Sequence, residues 1–127
     1  MFSTGEVMSG EALTPEYTGY PWREHLKIDD IPVYDAFEAG KKLVKISRNY
    51  TFAFHSNWMT DYVGHRGTLE QAVSLLETFD QVMAGVLSEW DDDEGLVIFT
   101  SDHGNMEDMS HGKHTENDVP SLIIGAD

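Results

Sequence analysis

The chain contains no cysteine. It can build neither a disulfide framework nor a thiolate metal site, and we expect it in the reducing cytoplasm. Positive charge is scarce: 8 Lys and Arg stand against 23 Asp and Glu, for a formal net charge of −15. Nucleic acids and anionic membrane surfaces both call for basic patches, so neither is an expected partner. No run approaches the roughly 20 apolar residues of a membrane span. The start, Met1-Phe2-Ser3-Thr4-Gly5-Glu6, has neither the basic nor the apolar stretch of a signal peptide. Internal repeats and low-complexity tracts are also missing. What remains is 127 residues with 40% hydrophobic content, enough for a core and one domain's worth of chain, or a piece of a larger one. An acidic chain can still act on phosphate esters, because bound divalent cations reverse the local sign.

Residues 1–33 are rich in Gly, Pro, Thr and aromatics without a sustained period, and read as loop with at most a short strand. Pro21-Trp22-Arg23 and Ile31-Pro32 mark turns or extended chain. The spacing of Phe37, Lys41, Val44 and Arg48 predicts a helix over 34–48, which Gly40 weakens. Tyr50-Thr51-Phe52-Ala53-Phe54-His55 is aromatic and β-branched, and reads as a strand. Thr68 and Gln71 form a capping box at the start of a long helix. Its apolar stripe runs from Leu69 through Val82 and Val86 to Trp90. Asp91-Asp92-Asp93-Glu94-Gly95 ends it as a solvated turn, without the alternating ligands of a calcium loop. Leu96-Val97-Ile98-Phe99 reads as a strand buried on both faces of a parallel sheet, and Pro120 to Gly125 as another. Strand, helix and strand give a βαβ unit and an α/β layered fold, in which ligands bind beyond the carboxyl ends of the strands.

Chemistry-bearing residues gather in that zone. Asp61-Tyr62-Val63-Gly64-His65 follows the first strand, in the turn before the capped helix, and Thr100-Ser101-Asp102-His103-Gly104-Asn105 follows the second. His111-Gly112-Lys113-His114-Thr115 precedes the third. Two carboxylates and three imidazoles are a ligand mix for zinc or manganese. Any one of these residues alone would be an ordinary loop residue; the conjunction is what points to metal.

In these motifs the chain resembles the alkaline phosphatase superfamily, and within it the cofactor-independent phosphoglycerate mutase and phosphopentomutase branch. The matching stretches are Thr60 to His65, Thr100 to Asn105, and His114-Thr115 running to Val119-Pro120, with the likeness covering about Tyr50 to Gly125. The resemblance implies a three-layer sandwich with a mostly parallel sheet flanked by helices, of which residues 34–127 would be the C-terminal part, the N-terminal part of the fold being missing. It implies that Asp61, His65 and His114 belong to a first metal site, and Asp102 and His103 to a second. In the family two divalent ions, zinc or manganese, lie about 4 Å apart and clamp the transferred phosphoryl group of a phosphorylated small molecule. A Ser or Thr oxygen attacks phosphorus to give a phosphoenzyme.

The departures count as much. The family's remaining ligands, an Asp after the first strand and the Ser or Thr nucleophile, precede the Asp-x3-His motif by a long stretch. Here Asp29, Asp30 and Asp35 fall in loop or early helix, and none of Ser3, Thr4 or Ser9 is assignable as nucleophile. The expectation is therefore the C-terminal part of a larger enzyme, inactive alone, with Met1 an internal methionine and an open sheet edge for a missing segment or self-association. The competing expectation is a non-catalytic metal-binding module, or one part of a split enzyme. Phosphatase, phosphodiesterase, phosphomutase and sulfatase are not separable from the ligands. Arg66 and Lys113 flank ligands and could meet a phosphate oxygen. His25 reads as surface, His55 as packing, and His111 as solvated loop or an orienting group. Asn105, Glu107, Met106 and Met109 carry no firm role.

Overall fold

The computed structural model describes residues 2–125; Met1 and the last two residues lie outside them, and so does the reading of Met1 as internal. The elements in order are α1 (Thr4–Met8), α2 (Tyr20–Leu26), α3 (Ala36–Ser47), α4 (Met59–Arg66), α5 (Leu69–Glu89), a 3-10 turn at Asp92–Glu94, β1 (Leu96–Thr100) and β2 (Ser121–Gly125). They form two compact units: Met1–Trp58 with Leu76–Glu89, and Met59–Leu75 with Trp90–Asp127.

The first unit contains helices where the sequence suggested loop. Ser3 caps α1, its hydroxyl facing the Glu6 backbone N–H at 3.4 Å while the Glu6 carboxylate accepts the Ser3 N–H at 2.6 Å. Pro21 lies in the first turn of α2. There its missing N–H has no helical acceptor to lose, so a residue read as a turn marker starts a helix instead. At five and seven residues, neither helix is long enough to show a hydrophobic period.

Helix α3 keeps close to its expected bounds, with the Asp35 side chain accepting the Glu38 N–H at 2.9 Å at its start. Its inner face buries Ala39, Gly40 and Val44. The core joins Tyr17, Ala39 and Val82, with Leu13, Tyr34, Ala36, Leu43 and Phe79 packed around them. Gly40 is required here: a Cβ on it would strike the Val82 carbonyl, and one on Gly85 would strike the Phe37 carbonyl. Two glycines thus let the backbones of α3 and α5 approach closely, so the residue that weakened the helix by propensity is the one that allows its packing.

No strand forms over Tyr50–His55. Phe52 and Phe54 are 81% and 79% exposed. Strand propensity expresses itself only against a neighbouring backbone, and among the described residues the two strands pair only with each other.

In the second unit the capping box forms as expected: the Thr68 N–H donates to Gln71 Oε1 at 2.9 Å, and the Gln71 N–H to Thr68 Oγ1 at 3.3 Å. Helix α5 stops at Glu89, one residue before Trp90, and the Asp91 side chain then accepts the Asp93 N–H at 3.0 Å to start the 3-10 turn. Strands β1 and β2 fall where the apolar runs placed them, but they pair antiparallel, Ile98 opposite Ile123. The expected parallel sheet, buried on both faces, is therefore corrected: among the described residues the sheet has two strands, and Leu96 and Ile98 are more than half exposed. The cause lies in the connection. It carries no crossover helix and folds back through an antiparallel bridge between Gly104 and Thr115, which returns the chain alongside β1 in the opposite sense.

A candidate metal centre

Asp61 and His65 lie on helix α4, one turn apart, rather than in the turn expected for them. A spacing of four residues puts both side chains on one helix face, with His65 Nε2 3.3 Å from Asp61 Oδ1. His114 reaches the same place from the loop before β2, its Nε2 3.1 Å from Asp61 Oδ1 and 3.0 Å from His65 Nε2. One donor atom from each of these three residues lies within 4.8 Å of the others.

His103 comes from the loop after β1. Its ring stacks on that of His114, with centroids 3.6 Å apart and planes at 20°. Its Nε2 is 3.8 Å from Asp61 Oδ1 and 3.6 Å from Asp102 Oδ1. The structure thus gathers Asp61, His65, His114 and His103, whereas the Asp102 side chain stays 88% exposed at the margin. Arg66 and Lys113 stand next to His65 and His114 in sequence, and both are exposed. His111 pairs with Asp108 at 3.5 Å and accepts the Lys113 N–H at 3.1 Å. In the first unit, His25 is exposed and His55 stacks on Tyr17 at 4.6 Å. Burial there pushes the His55 imidazole below its ordinary range. The Ser3 and Ser9 hydroxyls are occupied at the ends of α1.

Two residues the sequence left without a role hold the cluster. Asn105 is 5% exposed, and its amide donates to Asp61 Oδ1 at 2.9 Å. Gly64, one turn from Asp61 on α4, makes room for it, since a Cβ there would strike Asn105 Oδ1. Burial raises the Asp61 carboxyl, but the Asn105 bond and the neighbouring His65 and His114 outweigh it and hold the group below the usual carboxylate range. Glu107 accepts from Thr115 Oγ1, from the Asn105 N–H at 2.7 Å and from Asn117 Nδ2 at 3.0 Å. With the Thr115 bond as the largest cause, its carboxyl falls to about 2.

The donors fit a divalent cation. His65 Nδ1 lies 2.8 Å from the Gly112 carbonyl, so the ring donates there and turns the lone pair of Nε2 toward Asp61 and His114. An imidazole fixed by an outer hydrogen bond with its second nitrogen facing a carboxylate and another imidazole is the arrangement of a metal ligand. One carboxylate and two imidazoles suit zinc or a similar ion.

A family model described as the Metalloenzyme superfamily matches residues 28–127. Among curated proteins, the chain is similar to 2,3-bisphosphoglycerate-independent phosphoglycerate mutases. That of Methylobacillus flagellatus is 33% identical over 103 residues, covering 74% of this chain and 20% of the relative. That of Thiobacillus denitrificans is 32% identical over 127 residues, covering 87% and 25%. That of Roseobacter denitrificans is 35% identical over 101 residues, covering 74% and 19%. The chain therefore spans about a fifth to a quarter of the length of these relatives. No solved structure matches it.

Proposed function

The chain belongs to the Metalloenzyme superfamily, and from that premise we propose that it carries part of the binuclear metal centre of a phosphoryl-transfer enzyme. Asp61, His65 and His114 hold one divalent ion, zinc or manganese, and Asp102 and His103 contribute to a second. The observation that carries this reading is the convergence of the first three donors, with His65 turned inward by the Gly112 carbonyl. The substrate is a phosphorylated small molecule. The names of the relatives favour a phosphomutase acting on a phosphoglycerate, ahead of a phosphatase or phosphodiesterase.

Ions bound at this site supply positive charge that offsets the charge developing on phosphoryl oxygens. The chain's own residues do the positioning. The Asn105 amide fixes one Asp61 oxygen, Gly112 fixes the His65 ring, and the stacked His103 ring restricts rotation of His114. The three donors that converge are one carboxylate and two imidazoles, and the attacking hydroxyl is assigned to no residue of this chain. A set of three converging donors serves equally the second reading, a metal-binding module or one part of a split enzyme. The three-layer sandwich stays part of the proposal, with β1 and β2 as an antiparallel edge of a mostly parallel sheet. The cytoplasm is the proposed location, on the absence of cysteine; among the described residues no helix is long and apolar enough to cross a membrane.

Elemental analysis after zinc or manganese loading and dialysis tests the reading. One ion per chain, lost in His114→Ala and retained in His25→Ala, is expected. A metal-free chain under every loading condition would sink it.

A further inference from the structure

The two loops that carry His103 and His114 have little apolar packing to fix them. Among the described residues of 101–120, only Gly104 and Asn105 are buried. Polar bonds converging on one side chain hold them instead. Glu107 Oε2 accepts the Asn105 N–H at 2.7 Å, while Oε1 accepts Thr115 Oγ1 and, at 3.0 Å, Asn117 Nδ2. Asn105 lies two residues after His103, and Thr115 directly follows His114. Beside this junction the Thr115 N–H donates to the Gly104 carbonyl at 2.9 Å. From it the Asn105 amide reaches Asp61.

We infer that Glu107 is a positioning residue that ties the His103 loop to the His114 loop and, through Asn105, sets the Asp61 carboxylate; its bearing on metal binding rests on the reading given above. The chemistry requires a carboxylate. Three donors approach two oxygens, and an ionised carboxylate offers acceptors only, in charge-assisted bonds stronger than those of a neutral amide. Glutamine has the same shape, but it would turn an N–H group toward at least one of those donors. A residue that merely filled space would tolerate that change. Outer partners of metal ligands typically contribute tenfold to a hundredfold in metal affinity.

The test uses the 127-residue chain with Glu107→Gln, Thr115→Val and, as a charge control, Glu116→Gln at an exposed site. In the metal-free chain, nuclear Overhauser contacts between the His103 and His114 rings are expected in the parent. They should be lost in Glu107→Gln, weakened in Thr115→Val and kept in Glu116→Gln. Zinc affinity, measured against a chromophoric chelator, should fall about tenfold or more in Glu107→Gln and hold in Glu116→Gln. Ring contacts that persist in Glu107→Gln would overturn the inference whatever the affinity. Should Glu107→Gln fail to fold, Thr115→Val decides by the same contacts. If the parent binds no zinc yet the contacts vanish in Glu107→Gln, the metal reading falls and the positioning role stands.

Discussion

The two units are held by different forces. In the first, Tyr17, Ala39, Val44 and Val82 are buried and a pair of glycines lets two helices meet. In the second, the buried residues near the candidate centre include Asn105, Gly64 and Gly104, and the order comes from hydrogen bonds to Asp61, His65 and Glu107. Apolar packing is insensitive to pH and metal but intolerant of changes in volume. A polar cluster is the reverse: it accepts little loss of a donor or acceptor, and it responds to protons and cations. The candidate ligands thus belong to the unit ordered by polar bonds, and the apolar cluster to the other.

The sharpest way to break this contrast is to overfill the first unit. Gly40→Leu should cost about 3 kcal/mol, the upper part of the usual range for overpacking, because the added side chain meets the Val82 backbone rather than a movable side chain. Hydrogen exchange should show the loss in α3 and in residues 76–89. Protection of Tyr17 and α3 equal to that of the parent would mean that the glycine crossing is not tight.

Metal should act on the other unit. An ion that binds only the folded chain adds about 2.7 kcal/mol at a hundredfold excess over Kd. Thermal unfolding at matched protein concentration should rise with zinc in the parent and in His25→Ala, and not in His114→Ala. Equal melting temperatures with chelator and with zinc would remove the contrast.

A smaller effect is expected at the start of α5. Thr68→Ala removes the hydroxyl that accepts the Gln71 N–H, and should cost about 1 kcal/mol, read by urea unfolding. A change below a few tenths would show that Gln71 alone secures that end.

The smallest effect is local and depends on pH. The Glu107 carboxyl is lowered from 4.5 to about 2, so its bonds contribute fully above pH 4.5 and are lost as pH falls toward 2. The Glu107 carboxyl carbon, followed by NMR, should titrate near 2 and carry the Thr115 and Asn117 resonances with it. Titration at the ordinary carboxylate value would break the junction between the loops.

Much of the second unit was legible before the structure. The Thr68 and Gln71 pair, the run Leu96 to Phe99 and the three short motifs are local signals, each sufficient within a few residues. The pairing sense of β1 and β2 was not, because an apolar run has the same composition in parallel and antiparallel sheets. The strand expected at Tyr50–His55 failed for a related reason: propensity does not supply a partner. The helices α1 and α2 were too short for periodicity, although Ser3 with Glu6 and the position of Pro21 were readable capping signals. Asn105 and Glu107 were missed because their roles exist only in three dimensions. Asn105 bonds Asp61 across 44 residues of sequence. The one available hint was Gly64, a glycine inside the helix that presents two candidate ligands, where a neighbour had to come close.

The most direct measurement is a zinc titration of the 127-residue chain, followed through the imidazole nitrogens by long-range 1H–15N correlation. Nε2 of His65 and His114 should shift together at the first equivalent, while His65 Nδ1 keeps its proton toward Gly112 and both His25 nitrogens stay still. Zinc that perturbs His25, His111 and the cluster to the same degree, or that leaves His65 and His114 unmoved, would contradict a metal centre built on Asp61, His65 and His114.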